Sequence, residues 1–599
     1  MPERGSADWS RRRFLTGVGA GAAAFSLGQP SLARNQGQGA VEAPQILAGN
    51  RFDLSIGYRD ANFTGRKRVA TVINGSVPGP VLRWKEGDTV TLRVTNHLAV
   101  DSSIHWHGMI LPPDMDGVPD ISFPGIRPGE TFEYRFDVRQ SGTYWYHSHS
   151  GFQEQTGMYG ALVIDPLEPE PHAFDRDYAV VLSDWSDEKP EKIYAKLKKL
   201  SHYYNFRERT VAELWDEIRE GGLIATARAR RMWNTQLMSD RDLADVTGYT
   251  YTFLMNGQPP ANGWTGLFSG GEKVRLRFIN GSAMTFFDVR IPGLKMTVVA
   301  ADGQNIEPVT VEQFRMGVAE TYDVIVEPDA DTPYAIFASS IDRTGYAFGN
   351  LTPDPSLRAD APPMDPPPLL THLDMGMADH AGHDMSAGKR QDHSSQDGHA
   401  AMGHDAASLA PAGLAPAGLA PAGEGSSAPI VHPQTERGPG VDMQAEDPQT
   451  RLQDPGIGLR DNGRRVLTYG DLRSLAPTAD PRDPSREIQL HLTGAMNRYM
   501  WSIDGIKYAD AEPVQLVYGE RVRVTLVNDT MMNHPMHLHG MWSDLETGDG
   551  EHIPRKHTVV VQPGSKISYL VTADAPGEWA FHCHLLYHMP GMFRMVRVT

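Results

Sequence analysis

One strand-and-turn unit occurs three times along the chain, and this repeat restricts the possible folds more than any other feature. Asn74-Gly75 is followed by Glu86-Gly87-Asp88-Thr-Val-Thr-Leu-Arg-Val-Thr-Asn96. Asn256-Gly257 is followed by Gly271-Glu272-Lys-Val-Arg-Leu-Arg-Phe-Ile-Asn280, and Asp504-Gly505 by Gly519-Glu520-Arg-Val-Arg-Val-Thr-Leu-Val-Asn528. Each unit alternates apolar and polar residues with period two and is bounded by Gly-containing turns. That is the signature of short, half-buried strands packed as β-sandwiches. A 599-residue chain has room for several such domains. The fold class is therefore all-β, with three sandwiches of one type at about 44–166, 175–350 and 463–599.

The outer two copies carry histidines at matched places. Asn96 precedes His105-Trp106-His107 by nine residues, and Asn528 precedes His537-Leu538-His539 by nine. Further on, Gly142 leads to His147-Ser148-His149, and Gly577 to His582-Cys583-His584 at the same interval. Residues i and i+2 of a strand share a face, so each pair converges on one side. The middle copy keeps the frame without the ligands. Tyr334-Ala-Ile-Phe337-Ala338-Ser339 stands where the first copy has Tyr144-Trp-Tyr-His147-Ser148-His149, and its earlier strand carries Phe286-Phe287. The sandwich does not need these histidines to fold, so a purely structural role does not account for them.

Cys583 is the sole cysteine, which excludes an internal disulfide and leaves the sulfur available to a metal. With His534, His588 and a nearby Met it forms the two-imidazole, thiolate and weak-thioether set of an electron-transfer copper site. The eight paired histidines can enclose three further ions between the first and last sandwiches. Cys583 is bonded directly to His582 and His584, so an electron reaching its sulfur is one residue from that cluster. Such an arrangement suits one-electron collection and delivery of four electrons, the number dioxygen needs to become water.

The N-terminus reads Ser10-Arg11-Arg12-Arg13-Phe14-Leu15, then a Gly/Ala-rich apolar run, then Ser31-Leu32-Ala33. Residues 1–33 are expected to be a twin-arginine export signal, handled by the Tat machinery and placing the protein in the periplasm. The apolar run is too short to span a membrane. Removing this segment, which carries four Arg and two acids, takes the formal charge from −18 to −20. So acidic a chain is a poor match for nucleic acid or an anionic membrane surface.

Two stretches interrupt the sandwiches. Residues 187–235 have helical periodicity and are expected to form an insertion in the second domain, with a packing role. Residues 352–462 are rich in Pro, Gly, Ala and Asp, with Leu-Ala-Pro-Ala-Gly three times in tandem at 409–423. This composition predicts a flexible linker. Within it fall His372, Met375, Met377, His380, His383, Met385, His393, His399, Met402 and His404, a composition suited to loose copper capture.

Taken together, His105-Trp-His107-Gly, Tyr146-His147-Ser-His149, His534-Pro-Met-His537-Leu-His539-Gly and His582-Cys583-His584-x3-His588 resemble the four copper motifs of the multicopper oxidases. The twin-arginine signal, Ser150-Gly-Phe-Gln-Glu-Gln-Thr-Gly157 and the Met/His-rich stretch are similar to the periplasmic copper-resistance branch of that family, the CopA/PcoA type. The resemblance implies cupredoxin-like Greek-key domains and four copper ions. It assigns His534, Cys583 and His588 to a type 1 ion, and His105 and His537 to type 2. His107, His147, His149, His539, His582 and His584 fall to the type 3 pair. Asp116 matches an acid that supports proton delivery. The family's axial Met stands five residues after the last type 1 His; here that position is Phe593, and Met592 is the expected axial ligand. The implied function is oxidation of Cu(I), and of phenols, coupled to reduction of O2 to water. The alternatives are a copper-sequestering protein and a laccase acting mainly on aromatic substrates.

Overall fold

A computed structural model describes residues 45–207, 209–235, 239–328, 331–371, 374–376 and 419–599. The export segment and most of the Met/His-rich tract lie outside these residues. Among the described residues there are six sheets, two per sandwich. In each sandwich the first long strand pairs in parallel with the repeated strand. Arg51 faces Thr91, Arg176 faces Val274, and Arg486 faces Val522 at the start of these ladders. The repeated strand then pairs antiparallel with a later one, Thr131–Asp137, Thr321–Val326 or Ser565–Thr572. A parallel neighbour requires a crossover connection, which gives the Greek-key character.

The recurring residues of the sequence unit have recurring jobs. Asn74, Asn256 and Asp504 all take positive φ, as do Gly75, Gly257 and Gly505 after them. Two consecutive left-handed residues make the tight turn whose twist suits a hairpin, and Asn-Gly or Asp-Gly adopts it at least cost. Asn96, Asn280 and Asn528 are buried at the ends of their strands. Asn528 Nδ2 donates to the carbonyls of Met532 and Val561 at 2.7 and 3.0 Å, and its Oδ1 accepts from Thr530 N at 3.0 Å. Asn96 and Asn280 make the equivalent bonds. This amide therefore sets the loop that carries the chain to the next strand, which in the outer copies is the first histidine strand.

The second sandwich bears three helices, Pro190–Leu197, Val211–Gly221 and Leu223–Thr235. The first reaches beyond its own domain. Tyr194 stacks on Tyr587 at 6.1 Å, and Lys198 Nζ donates to Tyr499 O. The insertion thus covers the turn before His588. Among the described residues no helix is long and apolar enough to cross a membrane.

The expected flexible linker over 352–462 needs correction at its ends. Residues 419–462 are packed, with Met443 and Ala445 buried. Arg523 Nη2 donates to Ala420 O and Pro421 O at 2.9 Å, and Gly548 N donates to Gly423 O. Such a segment cannot build its own core, but it docks on the surface and uncapped polar groups of the third sandwich. Composition measures only the first property.

Candidate metal centre

Four short strands, His105–His107, Gly142–His147, His534–Leu538 and Gly577–Cys583, carry His105, His107, His147, His534, His537 and His582, and His149, His539 and His584 lie one or two residues past their ends. Within each sandwich they are partners. His105 lies opposite His147, and His537 opposite His582. The two strand pairs then meet. His107 stacks on His537 at 3.7 Å between ring centroids, and His105 lies 4.1 Å from His539. The donors gather into three adjoining groups: His105, His107 and His537; His107, His147 and His584; and His149, His539 and His582. A fourth group, His534, Cys583 and His588, lies within the third sandwich.

The hydrogen bonds show which ring nitrogens remain for an ion. His539 Nδ1–H donates to Asp116 Oδ2 at 2.8 Å, and His582 Nδ1–H to the Cys583 carbonyl at 3.0 Å. Their Nε2 atoms consequently face each other at 3.1 Å, lone pair to lone pair. Only a cation or proton between them makes that arrangement favourable. His105 and His537 likewise bond through Nδ1, to Asp116 O and His557 O, and leave buried Nε2 atoms without a partner. His107 is turned the other way. Its Nε2 lies 3.2 Å from both His557 Nδ1 and Thr558 Oγ1, and its buried Nδ1 is the orphan. Both nitrogens of His584 are buried and unpaired. Buried polar atoms are rarely left unsatisfied, so this concentration is the mark of a metal cluster.

The sulfur site passes the same test. His534 Nε2 is held by Thr530 Oγ1 and His588 Nε2 by Asp245 Oδ2, each at 2.7 Å. The two Nδ1 atoms face each other at 3.4 Å, with Cys583 Sγ at 3.5 and 3.9 Å from them. A first-row ion bonded at ~2.0–2.3 Å in a trigonal plane separates its donors by ~3.5–3.8 Å. Burial pushes the Cys583 thiol up, so the metal itself must displace the proton on binding.

Register distinguishes Met592 from Phe593. His582 pairs with Phe593 across the last two strands, and Cys583 N donates to Met592 O at 3.0 Å. Directly opposed residues share a face, so Met592 lies on the sulfur's side. Phe593 lies on the cluster side, stacked on His582 at 5.4 Å and 7°. Leu at position 592 keeps the volume and should cost less than ~1.5 kcal/mol in stability. Met592→Leu is expected to shift the blue absorption band and raise the copper potential; an unchanged spectrum and potential would remove Met592 from the ligand set.

Burial and mutual repulsion depress the imidazoles of His107, His147, His149, His537, His539 and His584 well below the usual histidine range. His582 falls from 6.5 to about 4, chiefly through burial. These rings are neutral ligands at neutral pH. In the unfolded chain they protonate at about pH 6.5, so there the unfolded state binds more protons and folding stability falls with pH. The melting temperature of the copper-free protein should therefore drop as pH is lowered from about 6.5 towards about 4. The copper-loaded protein should resist until its ions leave. Parallel melting curves for the two forms would contradict this.

Several contributors escape sequence reasoning. Asp245 holds His588 and also accepts from the Tyr499 hydroxyl at 2.8 Å. Glu154 lies 3.1 Å from His147 Nδ1, and burial with nearby Asp184 keeps its carboxyl protonated well above the usual range. Glu154 stands in the quoted Ser150–Gly157 motif, but nothing in its spacing marks it. Asp116, which sequence did single out, contacts both His105 and His539. Gly117 after it has φ +77°, and a Cβ there would lie 1.9 Å from Ile104 O, so this turn admits only glycine. A small cavity adjoins His105, His537 and His539, with Gly108 and Trp542 in its wall.

Family models described as multicopper oxidase match residues 55–169, 226–356 and 481–599. Copper resistance protein A of Escherichia coli is 58% identical, covering 98% of this chain and 99% of that protein. Copper resistance protein A of Pseudomonas syringae pv. tomato is also 58% identical, with the same coverage. Multicopper oxidase MmcO of Mycobacterium tuberculosis is 28% identical over 97% of this chain and 94% of its own length. Among solved structures, Fet3p, a multicopper oxidase that functions in iron import, superposes with TM-score 0.61 at 18% identity, covering 92% of this chain and 90% of that one. The laccase from Botrytis aclada gives 0.60 at 20% identity, covering 93% and 88%.

Proposed function

Because the chain belongs to the multicopper oxidase family, we propose that its four ligand groups divide the work of coupling one-electron oxidation to reduction of O2 to water. His534, Cys583 and His588, together with Met592, would hold the type 1 ion. His105 and His537 hold type 2. His107, His147 and His584, and His149, His539 and His582, hold the type 3 pair. The observation that carries this reading is the position of Cys583: its sulfur faces one site while its two chain neighbours face the other. Bound copper supplies one-electron acceptance at the sulfur site and storage of the electrons dioxygen needs at the cluster.

The residues around the ions have separate roles. His582 Nδ1–H donating to the Cys583 carbonyl at 3.0 Å gives a second link, besides the covalent one, between sulfur residue and cluster ligand. Asp245 orients His588, and the insertion helix and Tyr587 keep bulk water from the sulfur site. Asp116 orients His105 and His539, and to its carboxylate we assign the passing of protons to the cluster. Glu154, its carboxyl pushed up by burial and by Asp184, stands beside His147 on another side.

The donor assigned here is Cu(I), with phenols as a second class, and the biological role is copper resistance in the periplasm after twin-arginine export. The support for this is the near-full-length similarity to the two copper resistance proteins, together with the Arg11-Arg12 signal and the Met/His-rich tract. Turnover measured side by side on Cu(I) and on a bulky phenol tests it, with copper content and optical and EPR spectra of the copper-fed protein. Faster oxygen consumption on Cu(I), with four tightly held ions, is expected. Copper well above four ions with negligible turnover would point to sequestration, and preference for the phenol to a laccase.

A further inference from the structure

Outside the four-copper centre, four more metal-type side chains converge. His432, Glu436, His491 and Asp529 each offer a ligand atom, and these atoms lie within 4.8 Å of one another. They come from three separate places. His432 precedes the short helix Gln434–Arg437 and Glu436 lies within it, on the packed stretch expected to be linker. His491 lies on the strand Arg486–Ala495, and Asp529 follows the strand Arg521–Asn528. His432 Nδ1 is 2.8 Å from Glu436 Oε2 and 3.6 Å from Asp529 Oδ2. His491 Nδ1 is 2.7 Å from Asp529 Oδ2 and 3.4 Å from Glu436 Oε1. The side chains of both acids are fully buried, His491 is 2% exposed, and His432 at 20% is the one open to solvent.

The cluster is short of positive charge. No Lys or Arg among the described residues forms an ion pair with either acid, and a third carboxylate, Asp504, accepts from His491 N at 2.8 Å. His432 Nε2–H donates to Ala445 O at 3.3 Å, so Nδ1 is the nitrogen turned towards the two carboxylates; without an ion there, the bond to Glu436 pushes the imidazole up, and a bound cation would take the place of that proton. Glu436 Oε1 and His491 Nε2 are buried without a hydrogen bond. A buried carboxylate is tolerated only when paired or bound to a cation. An ion held tetrahedrally at ~2.0–2.2 Å sets its donors ~3.3–3.6 Å apart; the 3.4 and 3.6 Å separations already match this, and the two hydrogen-bonded pairs at 2.7 and 2.8 Å would open by less than ~1 Å to admit it.

We propose that these four residues form a further metal site, distinct from the four-copper centre, that takes a divalent first-row cation. Its donors are nitrogen and oxygen only. That set suits Zn(II) or Cu(II), while the absence of sulfur disfavours Cu(I). A bound ion ties residues 432–436 to the third sandwich. The site does not depend on the oxidase reading, since its ligands are not those of the centre.

Zinc is the probe, added to the copper-loaded full chain. Crystals soaked in Zn(II) should show anomalous density at the zinc edge between the four side chains. In equilibrium dialysis, Glu436→Gln and Asp529→Asn should each retain one zinc ion fewer than the unaltered protein, with the blue band unchanged. Absence of density there, or equal zinc content in protein and variants, would overturn the proposal and leave a hydrogen-bonded network with charged imidazoles. Should a variant fail to fold, the density in the unaltered protein decides the matter alone.

Discussion

Cys583→Ser is expected to abolish the blue band and cut oxidase turnover by more than about a hundredfold, since even outer partners of metal ligands act on a 10–100-fold scale. Serine is nearly isosteric with cysteine but replaces the soft thiolate by a hard, weakly acidic hydroxyl. The ligand set of an electron-transfer copper site is then lost. The eight paired histidines are untouched by the change, so the cluster should still load. Copper content should fall from four ions towards three, with the EPR signal of the remaining mononuclear ion intact. Loss of cluster copper along with the sulfur-site ion would mean the two sites do not fold independently. Retention of rapid turnover would mean electrons reach the cluster by another route.

Asp116→Asn should give the next largest loss, about 10–100-fold in turnover, with little change in copper content. The amide oxygen can still accept from His539 Nδ1–H and preserve ring orientation, so geometry survives while the charge and the proton-carrying capacity go. The two effects separate on a pH profile. If the carboxylate passes protons to reduced oxygen, the defect grows as pH rises and protons become scarce. If it only orients His105 and His539, the variant is slowed evenly across the range. Full activity at every pH would remove both roles.

How much of this is legible in the sequence depends on periodicity. The His-x-His pairs are legible because a strand repeats every two residues, and the Asn-Gly and Asp-Gly turns because few residues tolerate two positive φ values in succession. Met592 is only half legible. His588 and Met592 are joined through a turn of no fixed period, and only the pairing of His582 with Phe593 shows which side chain faces the sulfur. Asp245 is not legible at all. It meets His588 across 343 residues, brought there by the course of the chain after the insertion helices. The docked stretch 419–462 misleads for a different reason. Its Ala, Pro and Gly lack the apolar area to fold alone, but Arg523 and Gly548 of the third sandwich supply its partners. The same stretch brings His432 and Glu436 to His491, a meeting that no local spacing announces.

The three groups His107–His147–His584, His149–His539–His582 and His534–Cys583–His588 each wait on residues beyond position 580. A ribosome makes those after every other ligand of the three groups. No nascent chain can therefore close any of the three before that stretch has been made, whatever the copper supply around it. Uptake of metal at these three groups must follow the making of the last sandwich.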